Sequence, residues 1–138
     1  FELPIIKAGK KELLNNDFAV FKAFCDAEIA MSAHVLFEKI DPYKAASTSK
    51  KIIDIIREDI KFTGLLVSDD ISMSALPGDL TKRTTNLIKA GGDVILHCNG
   101  QLSEMKEIIS SGVIPNTLTL SRIASVIEER KKIQHNAV

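Results

Sequence analysis

Neither charge is in excess in this chain: 18 Lys and Arg stand against 18 Asp and Glu in 138 residues. That balance excludes the basic footprint of nucleic-acid or anionic-membrane binding and the acidic tail of a highly charged chain. Long apolar runs are absent too. None approaches the roughly 20 residues of a membrane helix, and the N-terminus carries no signal-peptide pattern. A cytoplasmic location is the expectation. Cysteine is scarce, with only Cys25 and Cys98, far apart and in no CxxC motif. They read as buried thiols in a reducing compartment, not as a disulfide framework. Methionine is missing from the first position: the chain opens Phe1-Glu2-Leu3-Pro4, which suggests a processed product or an excised fragment. What is present is an ordinary globular composition, 45% hydrophobic and 26% charged, enough for one domain with its own core.

Three short apolar runs read as buried strands: Ile29 to Phe37, Leu65 to Ser68, and Asp93 to Cys98. Each is bounded by turn or breaker residues. Helical patterns lie between them. Ser49 is an N-cap for a helix with Ile52, Ile53, Ile56 and Ile60 on one face, ending near Lys61. Asp79 caps a second, with Leu80, Leu87 and Ile88 inward and Ala90-Gly91-Gly92 as its stop. Asp17 to Asp26 reads as a helix with Phe18, Phe21 and Phe24 as its apolar surface. A short helix starts at Ser103 and stops at Ser110-Ser111-Gly112. A last one runs from Leu120 to about Lys132, and Ile133 to Val138 reads as a fraying end. Strands alternating with helices imply crossover connections and a parallel sheet, an α/β fold of βαβαβα type. Three strands are few for a doubly wound domain. A closed (β/α)8 barrel has eight in about 250 residues, so half a TIM barrel fits the length.

The chemistry points to Leu65-Leu66-Val67-Ser68-Asp69-Asp70-Ile71-Ser72-Met73. An apolar run delivers two acids to a strand end, where parallel strands place functional groups and where an unpaired carboxylate is costly. Adjacent residues of a regular strand point to opposite faces, so Asp69 and Asp70 cannot form a facing acid/base pair. Both acids could simply cap turns. A magnesium site is a further reading, but it wants more acids and a lysine at other strand ends. His34 and His97-Cys98-Asn99 do not suit magnesium, and no metal or cofactor is expected.

From Ile55 to Ser72 the chain resembles the active-site signature of glycoside hydrolase family 3: two aliphatics, a basic residue, a spacer, a polar residue, four spacers, glycine, three apolar residues, Ser or Thr, then the nucleophilic Asp. Ile55, Ile56, Arg57, Asp59, Gly64, Leu65, Leu66, Val67, Ser68 and Asp69 meet every constrained position. Met31-Ser32-Ala33-His34-Val35 is similar to the Met-Thr-Ala-His-Val strand of the family's bacterial β-N-acetylglucosaminidases. Ala90 to Asn99 resembles their Ala-Gly-Cys-Asp strand, and Phe1-Glu2-Leu3-Pro4 matches the Leu-Pro after their Asp-Ser-His loop. The resemblance covers nearly the whole chain. It implies that residues 1–138 are the C-terminal half of a TIM barrel, strands six to eight of a partial catalytic domain. It also implies a retaining glycosidase that releases terminal N-acetylglucosamine from peptidoglycan fragments, in cell-wall recycling.

On that resemblance Asp69 is the nucleophile, with Ser68 and Asp70 as structural support. His34 and Met31 border the sugar pocket, His34 having a satisfied structural histidine as its other reading. Met73 packs under the sugar or fills core. His97 replaces an apolar residue of the family pattern and reads as non-catalytic. Asn99 lines the pocket rim or makes an Asn-Gly turn. The family's Lys-His-x-Pro-Gly-His-Gly segment and Asp-x-His loop, which carry the acid/base histidine, do not occur here. Positioned protonation contributes about 10²–10⁴-fold, so the chain alone is expected to be nearly inactive. Open sheet edges predict association, with the missing N-terminal half or with itself. The rival reading is a small non-enzymatic α/β domain whose acidic loop contacts a ligand or partner.

Overall fold

The computed structural model describes residues 3–135. In chain order it contains β1 (Ile5–Ile6), α1 (Lys10–Asn15), α2 (Asp17–Lys22), β2 (Ile29–Met31), β3 (Leu36–Phe37), a 3-10 turn (Ala46–Thr48) and α3 (Lys50–Asp54). A π-helical turn (Ile55–Asp59), β4 (Leu65–Asp70), α4 (Leu80–Ala90), β5 (Val94–Leu96), α5 (Leu102–Ser110) and α6 (Thr117–His135) follow. The central sheet is parallel in the order β2-β4-β5, with Ile29 opposite Leu65 and Val67 opposite Val94. The expected parallel α/β fold is the one observed.

One strand differs from expectation. The run Ile29 to Phe37 is two strands, β2 in the central sheet and β3 paired in parallel with β1. The chain changes partner between them: Ser32 N–H still donates to Val67 O, but Leu36 N–H donates to Pro4 O. Nine apolar-leaning residues exceed the usual buried strand, and β1 supplies the second partner that local pattern cannot reveal.

The caps behave as their residue types dictate. Ser49 Oγ accepts from Ile52 N–H at 3.3 Å and Asp79 Oδ1 from Lys82 N–H at 2.7 Å. Gly91 closes α4 at φ 107°, a conformation that glycine adopts without a Cβ penalty. Helix α2 stops at Lys22, short of Asp26, and α1 was not expected. Helix α6 is longer than expected at both ends; of the supposed fraying end, Ile133 to His135 are helical and the rest lies outside the described residues.

The core lies on one face of the central sheet. Leu66 and Ala30 pack with Ile53, Ile60, Phe62 and Ala90 against α3 and α4. Strand alternation sends their neighbours to the opposite face, where Ile29 and Met31 stay 39% and 59% exposed. Beyond the strand ends, Ala45, Ile71, Leu76 and Leu80 form a second cluster that supports the loop after β4.

Candidate active site at the end of strand β4

Strand β4 is anchored at its base before it delivers anything at its tip. Arg57, on the π-helical turn, donates to Phe62 O at 3.0 Å, Gly64 O at 2.8 Å and Asp93 Oδ2 at 2.7 Å. Asp93 accepts from Leu66 N–H, the Thr119 hydroxyl and Arg122 as well. Burial pushes the Asp93 carboxyl up, but these donors outweigh it and hold the group below the usual carboxylate range. Gly64 lies so close to the Ala27 and Glu28 carbonyls that a Cβ would sit 2.3 and 2.6 Å from their oxygens.

At the tip the two acids have different surroundings. Asp69 Oδ1 accepts from Asp70 N–H at 2.8 Å, and its other oxygen has no hydrogen-bond partner among the described residues. Asp70 has partners on both carboxylate oxygens. Its carboxylate takes the Ser72 N–H at 3.0 Å, the Ser72 hydroxyl on both oxygens and the Cys98 N–H at 3.2 Å. Burial raises its pKa, and the Ser72 and Cys98 bonds, with His97 nearby, more than reverse that, leaving it lowered. The pairing between β4 and β5 shifts by one residue between Val67 and Asp70. Strict alternation therefore does not run through Ser68–Asp70, and the two carboxylates are separated by their partners, not by the face argument of a regular strand.

His34 is buried, 4% exposed, with both ring nitrogens engaged: Nδ1 lies 2.7 Å from Ser47 Oγ and Nε2 3.0 Å from Asp70 O. A carbonyl only accepts, so Nε2 carries a proton and donates it to Asp70 O. Ser68 is buried and its Oγ accepts from Leu96 N–H at 3.0 Å. Met31 and Met73 are both exposed. Met31 lines an apolar groove of about 420 Å³ between α2, the edge of β2 and α3, shared with Phe21, Phe24 and Phe62. Neither acid lines it.

Sequence reasoning missed three features. Arg83 on α4 donates to Ile71 O and Met73 O, each at 3.0 Å, and so holds the loop after β4. Glu104 takes the His97 ring at 2.8 Å and the Asn99 amide at 2.7 Å on one oxygen. The His97 hydrogen bond, with that of Asn99, lowers the Glu104 pKa. The Asp93 anchor joins residues too distant in sequence for any local pattern. Cys98 is exposed and Cys25 half-buried, both free thiols, where buried ones were expected. Among the described residues no group of three or more His, Cys, Asp or Glu is arranged to hold a metal ion, and no helix is long and apolar enough to cross a membrane.

Comparison with known proteins gives a consistent result. The family described as "Glycosyl hydrolase family 3 N terminal domain" matches residues 1–128. The beta-hexosaminidase of Haemophilus ducreyi is 26% identical over 134 residues, covering 94% of this chain and 39% of that protein. The beta-hexosaminidase of Idiomarina loihiensis is 32% identical over 114 residues, covering 75% and 34%. The crystal structure of the beta-N-acetylglucosaminidase from Thermotoga maritima superposes with a TM-score of 0.71 at 28% identity, covering 91% of this chain and 30% of that one. The chain thus spans between a third and two fifths of the length of these two curated relatives.

Proposed function

The chain belongs to glycosyl hydrolase family 3, and from that membership we propose that it is the C-terminal half of a barrel in which β2, β4 and β5 are strands six to eight. The parent protein is a retaining β-N-acetylglucosaminidase with Asp69 as its nucleophile. One observation carries the nucleophile: of two adjacent acids at a parallel strand end, Asp70 has partners on both carboxylate oxygens, and Asp69 keeps an oxygen without a partner among the described residues.

In this reading the Asp69 carboxylate attacks the anomeric carbon. The bond to the leaving oxygen breaks, and that oxygen departs with the electron pair and a proton from an acid outside this chain. Water then attacks the same carbon, gives a proton to the former acid and releases the Asp69 carboxylate, with net retention. Met31 and Met73, both exposed, are read as sugar contacts on the family resemblance alone. The substrate is a glycoside with a terminal N-acetylglucosamine, consistent with the activities named in the relatives; peptidoglycan recycling in the cytoplasm is the setting proposed.

The partner is the rest of the barrel. The relatives' greater length supports this, as does the apolar groove beside β2, which among the described residues pairs only with β4. The isolated chain either takes up that half or associates with itself, and without an acid it turns over little. Turnover of an aryl N-acetylglucosaminide by the full-length protein tests the assignment. Asp69→Ala should abolish it, and unchanged turnover would overturn the nucleophile.

A further inference from the structure

The one-residue shift between β4 and β5 falls at the candidate nucleophile. Val67 pairs with Val94 and Asp70 with Leu96, so three steps along β4 oppose two along β5. An extra residue of this kind is a β-bulge, which bends the strand and re-aims a side chain. It also disturbs a ladder whose buried N–H and C=O groups must still find partners.

Side chains supply those partners. Leu96 N–H donates to Ser68 Oγ at 3.0 Å, and Asp70 N–H donates to Asp69 Oδ1 at 2.8 Å. Asp70 O accepts from His34 Nε2 at 3.0 Å, and Cys98 N–H donates to Asp70 Oδ1 at 3.2 Å. Past the shift, Ile71 N–H donates to Leu96 O at 2.9 Å, where both strands end. Ser68 and His34 are both buried, and His34 is itself held by Ser47.

We propose that Ser68 and His34 are positioning residues that hold this bulge open, Ser68 from the β5 side and His34 from the loop after β2, and that the bulge aims the Asp69 carboxylate. The proposal rests on reading Asp69 as the nucleophile. It gives the hydroxyl before Asp69 a task that serine and threonine share and alanine cannot perform. It makes His34 a strut between Ser47 and Asp70 rather than a hand on the sugar.

Amide hydrogen exchange on the full chain tests the bulge without using activity. In the wild type, Leu96 and Asp70 amides should be protected like those of Ala30 and Val67; free exchange of both overturns the proposal with no substitution involved. Ser68→Ala should speed exchange at Leu96 and Asp70 by roughly tenfold relative to Ala30, the loss of about one hydrogen bond. Ser68→Thr should restore it. Equal protection in the alanine variant overturns the proposal. In the full-length enzyme, Ser68→Ala should lower kcat and leave KM unchanged, with Ser68→Thr recovering kcat. His34→Gln, which keeps a donor for Asp70 O, should retain KM where a sugar contact would lose it; a raised KM overturns the role of His34. The Asp69→Ala assay is read separately. If it leaves turnover unchanged while the exchange results hold, the nucleophile fails and the bulge stands.

Discussion

Replacing Asp93 with Asn should remove a large share of the stability of this chain, although the substitution changes no shape. The Asp93 side chain is 2% exposed and faces four donors: Oδ2 takes Leu66 N–H and Arg57, and Oδ1 takes the Thr119 hydroxyl and Arg122. Both arginines are only 17% exposed. An amide has one acceptor oxygen, so whichever way it is turned its NH2 meets one of these donor pairs, and both guanidiniums lose their counter-charge. Removing one partner of a buried pair costs about 3–5 kcal/mol, against a total of about 5–15 kcal/mol for a typical domain. Urea denaturation followed by far-UV circular dichroism measures the loss. A difference below about 1 kcal/mol, the worth of an exposed pair, would refute the reasoning. The sign in pH follows from the same contacts. The folded pKa of Asp93 lies below its unfolded value of about 3.9. Its stabilisation is therefore fully present above that value and is lost as pH falls through the folded pKa. The Asn variant should lack that component of acid sensitivity.

Gly64→Ala should cost about 3 kcal/mol or more, because its Cβ would meet two backbone oxygens that cannot give way; a cooperative melt within a degree of the wild type would contradict this. Lys61 holds φ at 67°, so Lys61→Gly should raise stability by about 1 kcal/mol, read in the same denaturation series. Phe21 and Phe24 are 62% and 64% exposed at the mouth of the apolar groove. The double change to Glu should shift the chain towards monomer in multi-angle light scattering, and an unchanged mass would remove that groove from the association surface.

The parts of the fold legible in the sequence are those decided within one turn of chain. Ser49, Asp79 and Gly91 act on their own neighbours, so their residue types suffice. The split of Ile29–Phe37 is decided by β1 and β4, which lie far off in sequence, and neither the apolar run nor its bounds records which partner each half takes. Helix α1 has no side-chain cap and a single buried residue, Leu13, so little in its pattern marks it. At the site, the two acids that end the apolar run lie at the tip of β4. The opposite-face argument did not carry over, because it assumed a regular strand and the structure has a bulge. The Asp93 anchor joins residues 36 and 29 apart, a separation at which no spacing rule operates.

The signature positions divide between delivery and chemistry. Arg57, on a π-helical turn, reaches the α3–β4 connection and Asp93. Gly64 is required by the carbonyls of Ala27 and Glu28, which approach as β2 and β4 come into register. Leu65, Leu66 and Val67 span the stretch that pairs with β2, and Leu66 fills the core beneath it. Ser68 meets Leu96 where the register is lost. Each of these residues acts on the backbone or packing of β4, whereas Asp69 stands at the strand tip with one carboxylate oxygen left open among the described residues. The tight offsets of the motif are therefore the geometry of one strand held at its base by Arg57 and Asp93 and bent at its tip by Ser68. A change at Gly64 or Arg57 should reach the site by displacing that strand, even though neither residue hydrogen-bonds to Asp69.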